Sequence, residues 1–187
     1  MLPEYNTMPN VFRLPPQVAT MPNSLYHSLQ GQYFVGYADE MYFDRDKNAW
    51  AALANPRNSG VNLFVNVWTV TDLHQPPIRM QIWLNSNLPG EYTISELVTP
   101  ANTAITPLPR PRVRLLEASN VAGTPTGGIK AFVRRTEPEE TIVSEEEGKF
   151  IIPPGGNFAI FLSSPEGIDA PSKVRVAYGW WEQRICY

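Results

Sequence analysis

Four carboxylates, Asp39, Glu40, Asp44 and Asp46, crowd into one short stretch, and closely spaced carboxylates are the raw material of calcium sites and acid–base pairs. Asp44, Asp46 and Asn48 reproduce the D-x-D-x-N opening of a calcium loop, but Ala49 stands where that loop needs glycine and Asn55 where it needs a bidentate glutamate. An EF-hand is excluded. A solvated turn is the favoured reading, with a looser site on main-chain carbonyls as the alternative. His27 and His74 lack partners at metal-ligand spacing, so no zinc site is expected. No G-x-S-x-G elbow occurs, and Gly127-Gly128 and Gly155-Gly156 follow Thr or Pro without the lysine or helix of a phosphate cradle. Cys186, the single cysteine, cannot form an internal disulfide; it is either an inert thiol or an intersubunit crosslink. No cofactor and no enzymatic activity are expected from this inventory.

Aromatic and charged residues offer a different chemistry, that of contact. Trp50, Trp68, Trp83, Trp180 and Trp181, with Tyr33 and Tyr37, could stack on sugar rings, although filling a core is the favoured role. Trp180 and Trp181 point to opposite faces of a regular strand, so Trp181 is a candidate interface residue. Arg110, Arg112 and Arg114 in PRPRVR fall on one side of an extended segment, while Glu145, Glu146 and Glu147 share one turn. Two patches of opposite sign could orient one subunit against another.

The elements that must position these groups are strands. Nineteen prolines and twelve glycines in 187 residues break long helices, yet 43% hydrophobic content is too apolar for a disordered chain. A net charge of -3 leaves no overall basic field for nucleic acid, and no apolar run is long enough to span a membrane. The stretch MLPEYNTMPNVFRLPP lacks a cationic leader followed by an apolar segment, so synthesis in the cytoplasm without a signal peptide is expected.

Residues 1–24 carry five prolines and read as an extended arm whose apolar residues Val11, Phe12, Leu14 and Val18 suit docking. Residues 25–187 read as one β-sandwich domain. Residues 61–70 and 78–85 alternate with period 2 around a proline-bearing break, which predicts a central hairpin with Val61, Leu63, Val65, Val67 and Thr69 on one face. Further strands are predicted at 32–38, 112–119, 129–135, 139–144, 149–152, 157–163 and 173–183, with Ile129, Ala131 and Val133 inward. Residues 39–47 read as a connection and 145–148 as an acidic turn. The segment 48–54, NAWAALA, fits a strand or a single helical turn. The long connection 87–112 has room for a short helical turn and should cross between sheets. About eight or nine strands in this order predict an all-β, two-sheet jelly-roll-type sandwich.

The stretches NAWAALANPRNSGVNLFVNVWTVT, LVTPANTAITPLPRPRV, TGGIKAFVRR, FIIPPGGNFAIFLSSPE and RVAYGWWE resemble a family of small all-β proteins of unknown function from spore-forming bacteria, over about residues 30–182. That resemblance implies a spore or cell-surface context and no assigned activity. The function expected is a non-enzymatic structural subunit that assembles with copies of itself into a filament, appendage or surface layer. A carbohydrate-binding module with glycan as partner, using exposed tryptophans such as Trp83 and Trp181, is the alternative.

Overall fold

The computed structural model describes residues 20–74, 76–165 and 170–185. Val11, Phe12, Leu14, Val18 and Cys186 lie outside them. A short helix α1 (Asn23–Leu29) precedes β1 (Tyr33–Phe43), β2 (Asn48–Ala54), β3 (Val61–Asp72) and β4 (Arg79–Leu84). Two short strands, β5 (Thr93–Ile94) and β6 (Val98–Pro100), lie in the long connection before β7 (Arg114–Val121). The chain continues through β8 (Ile129–Arg135), β9 (Thr141–Ile152), β10 (Asn157–Ser163) and β11 (Ser172–Arg184). Five strands form a smaller sheet, β6-β1-β11-β3-β9, and six a larger one, β5-β7-β2-β10-β4-β8; all neighbouring strands run antiparallel. The two-sheet all-β sandwich expected from the sequence is the fold.

Alternation explains the core. Leu63, Val65, Val174, Val176, Tyr178 and Trp180 point inward from the smaller sheet, meeting Leu53, Met80, Ile82, Phe158, Ile160 and Leu162 from the larger one. The Tyr178 hydroxyl donates to the Ala51 carbonyl at 2.8 Å, a hydrogen bond between the sheets. On the other face of the larger sheet, Trp50, Ala52, Ala159 and Phe161 form a second buried cluster, and Trp50 Nε1 donates to Pro89 O at 2.8 Å. Strands β2 and β10 are therefore buried on both faces, which is why NAWAALA reads as a continuous apolar run with no helix or strand period.

Several expectations are corrected. Residues 61–85 are not a hairpin: β3 pairs with β11 and β9 in the smaller sheet, while β4 pairs with β10 and β8 in the larger. The proline-bearing break is a crossover between sheets, since a segment ending in two prolines cannot extend a ladder. The alternation of β3 also changes phase. Register shifts against both neighbours leave Asn66 as an extra residue, so Val65 and Trp68 face the core and Val67 faces outward. β1 runs on through the predicted connection by a bulge at Asp39 and Glu40, the latter at φ 53°. β9 likewise runs through the predicted acidic turn. The predicted helical turn in residues 87–112 is instead the pair β5 and β6, one in each sheet, so the connection does cross. In β8 a register shift leaves Ala131 as an extra residue packed on the core, so Val133, opposite Gln81, turns to the outer face, and Ile129 is exposed on this last strand of the sheet.

Trp180 is fully buried where the sheets meet. Trp180→Ala is expected to cost about 3–5 kcal/mol of folding stability, measured as a lowered urea midpoint with unchanged slope.

Candidate functional site: an apolar trough on the smaller sheet

The outer face of the smaller sheet carries a depression of about 460 Å³. Its floor is low beside one strand position that lacks a side chain. At Gly179 a Cβ would lie 2.5 Å from the Tyr33 hydroxyl and 2.8 Å from Val67. Val35, Tyr37, Val67, Thr69 and Ala177 line the floor, and Leu97 forms a wall. That wall is fixed by backbone: Tyr37 N donates to Leu97 O at 3.1 Å, and the Ser95 hydroxyl donates to Tyr37 O at 2.9 Å. Val35, Tyr37 and Leu97 are 38%, 39% and 45% exposed. A surface of this composition can take up apolar side chains.

A second, more polar depression of about 470 Å³ adjoins it, lined by Pro22, Asn23, Ser24, Asn66, Glu145 and Glu147 and sharing Val67. Pro22 to Ser24 lead into α1. The trough therefore opens beside the segment by which the described chain enters the sandwich.

Helix α1 is held next to this site by a ring stack. Trp181 is 3% exposed, with Phe64 stacked at 5.4 Å and His27 at 4.9 Å between centroids. The Trp181 indole also lies against Gly148, where any Cβ would collide with it and where φ is 79°. Trp181 does leave the main core, but the surface it meets is this chain's own α1. The helix leaves Leu25, Tyr26 and Leu29 about half exposed.

The charged patches separate. Glu146 turns inward at 5% exposure, accepting hydrogen bonds from Trp68 Nε1 at 3.0 Å and the Ser144 hydroxyl at 2.8 Å, with Lys149 Nζ 3.5 Å away. The carboxylates do not share one solvated turn, because the bulge in β9 reverses the middle one. Glu145 and Glu147 remain exposed on the broad face.

Arg110, Arg112 and Arg114 do not form one strand face either, since β7 begins only at Arg114. Arg112 Nη1 donates to Ser59 O at 2.6 Å, and the Arg112 and Val113 amides donate to Glu182 at 2.9–3.0 Å. Arg110, Arg112 and Arg184 surround Glu182 in a depression of about 390 Å³ at the sandwich end. Burial pushes the Glu182 carboxyl above the ordinary glutamate range even though these amides favour its charged form.

The aromatic residues are mostly inside. Trp50, Trp68, Trp180 and Trp181 are buried, and half-buried Trp83 donates to Gln81 Oε1 at 3.1 Å beneath Lys130. A glycan platform among the described residues is thereby reduced to Trp83 and scattered tyrosines. In the acidic stretch Asp39 pairs with Arg175 at 2.6 Å and Glu40 with Lys173 at 2.9 Å, Asp44 accepts from the Arg45 amide at 2.7 Å, and Asp46 is exposed. The Asn48 amide donates to Gly123 O at 2.8 Å. Among the described residues no three His, Cys, Asp or Glu side chains converge as metal ligands. No described helix is long and apolar enough to cross a membrane. Sequence reasoning missed Val35 and Leu97 and named Tyr37 only as a ring that could stack on sugars; the available signal was the glycine inside the last strand, at position 179.

Two outcomes follow from these contacts. Gly148→Ala is expected to lower stability by about 1–3 kcal/mol and to change Trp181 fluorescence, because the methyl displaces the indole. For Glu182 the folded carboxyl holds its proton to higher pH than the unfolded one, so its stabilising contribution is complete below the ordinary glutamate range. That contribution is lost as pH rises through the raised folded value. The stability difference between the unaltered chain and Glu182→Gln should therefore shift against the unaltered chain from about pH 4 to about pH 7 in urea titrations.

A family model described as "Family of unknown function (DUF6143)" matches residues 12–187, beginning inside the arm. No curated protein matches the chain. With nearly its whole length matched, the chain belongs to the DUF6143 family, a family of unknown function.

Proposed function

We propose that the protein is a non-enzymatic structural subunit that assembles with copies of itself, the arm of one copy seating in the trough of the next. The observation that carries this reading is the apolar trough beside the root of an arm that bears Val11, Phe12, Leu14 and Val18. Reach favours a neighbour. Nineteen residues precede the described chain, and in extended form such a segment spans roughly 60 Å. Five strands at about 4.8 Å spacing make a sheet only about 20 Å wide. A proline-rich segment favours extended conformations and is short of hydrogen-bond donors, which suits side-chain docking in an apolar groove better than a long added strand. The family match supports including the arm in the working unit, since it begins at residue 12.

Contact between two different surfaces propagates unless it closes, so the assembly we infer is a filament, appendage or surface layer. The resemblance to proteins of spore-forming bacteria supports a spore or cell-surface location. Deleting residues 2–19 should reduce the particles seen by multi-angle light scattering to one or two subunits, and Leu97→Glu in the full chain should do the same. Particles of unchanged mass in both variants would overturn the arm-and-trough reading.

A further inference from the structure

One side of the sandwich ends in two open strands. Among the described residues β8 is the last strand of the larger sheet and β9 the last of the smaller, and they lie across from each other. The rings of Phe132 and Phe150 meet edge to face at 6.1 Å, and the Arg134 guanidinium lies 5.3 Å from the centre of the Trp68 ring. Among the described residues, these contacts close the gap between the sheets and no strand pairs with either outer row. Val133 on β8 and Val143 and Ile151 on β9 are 51%, 57% and 54% exposed. Unpaired edge strands with exposed apolar residues are templates for another chain unless charge forbids it.

Here the charges discriminate between partners. The pairing of β8 with β4 sets Lys130, Val133 and Arg135 opposite Trp83, Gln81 and Arg79 on the outer face. Lys130 lies 5.2 Å from the centre of the half-buried Trp83 ring on that face. On β9 the exposed residues beside Val143 and Ile151 include Glu145 and Glu147. Like edges repel, since β8 against β8 sets cation on cation and β9 against β9 sets carboxylate on carboxylate. β8 against β9 is attractive.

We propose that this wall is a self-complementary interface in which β8 of one copy pairs with β9 of a second, and β9 with β8. A two-fold axis parallel to the strands makes both pairings at once. It exchanges the two layers while keeping strand direction, so β9 meets a β8 that runs antiparallel to it. Each smaller sheet then continues into the partner's larger sheet. The proposal rests on the self-association reading but uses none of the arm or trough.

The test is sedimentation equilibrium on the full chain with its arm silenced by Phe12→Glu and Leu14→Glu. The expected species is a dimer that weakens with added salt. Lys130→Glu with Arg135→Glu should weaken it by about tenfold or more, and adding Glu145→Lys with Glu147→Lys should restore it. The restored variant also proves that the reversed strands still fold. A monomeric arm-silenced chain, a dimer indifferent to reversal, or reversal without rescue would overturn the pairing. The unaltered chain separates the two ideas. If it forms larger particles while the arm-silenced chain is monomeric, only the wall fails; if it stops at the dimer, only the arm reading fails.

Discussion

The single extra residue at Asn66 is the constraint on which the rest of the smaller sheet depends. A strand has a side-chain period of 2, so one inserted residue flips everything beyond it. Val65 closes the lower core and Trp68 opens the upper one, and the flip puts Val67 on the trough floor. The neighbours accommodate the insertion in different ways. β11 answers with Gly179, which leaves room for the Tyr33 hydroxyl, and Asn66 Nδ2 donates to that hydroxyl at 2.8 Å. β9 answers with a wider bulge from Glu146 to Lys149, relaxed through positive φ at Glu147 and Gly148. That bulge supplies the space under Trp181, and Trp181 in turn seats α1.

The same bulge explains a buried carboxylate. An ionised group without partners in an apolar interior costs several kcal/mol, so Glu146 is tolerable only because its neighbours are chosen. The Trp68 indole donates its N–H to Glu146, and its ring face lies near the Arg134 guanidinium. One aromatic side chain therefore mediates between an anion on β9 and a cation on β8, using the opposite signs of its edge and its face. Glu182 solves the same problem at the sandwich end with main-chain donors, the amides of Arg112 and Val113. There the carboxylate pins the end of the long connection to the last strand, which makes the proline-rich PRPRVR segment part of the frame instead of a free basic patch.

How much of this was legible in the sequence depends on range. Composition and period 2 were enough for an all-β sandwich, because alternation and turn residues are local. The doubly buried β2 was ambiguous for a physical reason: a strand covered on both faces loses its alternation. The partner of each strand was not legible, and the stretch from Val61 to Leu84 shows why. Its two strands have matching patterns and a plausible break, yet nothing local says that the break changes sheets. The insertion at Asn66 was also hidden, since Asn66 and Val67 each fit an unbroken alternation, and only the pairing with Gly179 and Glu145 exposes the slip. The trough was invisible for the same reason: Val35, Leu97 and Ala177 come from three strands or connections far apart in the chain.

The two surfaces left open by this architecture differ in kind, and that difference bears on assembly. The trough is apolar and nearly without directional groups, so it offers area and little register. The β8 and β9 edges offer the reverse: rows of backbone donors and acceptors whose pairing fixes distance and direction, and opposite charges that reject the wrong edge. A subunit with only the first kind of contact would associate without geometry, and one with only the second would stop at a closed pair. Joining a two-fold edge contact to an arm that reaches a different surface gives a repeating unit that is both oriented and open-ended. The Asn66 insertion links them, since the β9 bulge that interrupts one edge is the same distortion that turns Val67 into the trough.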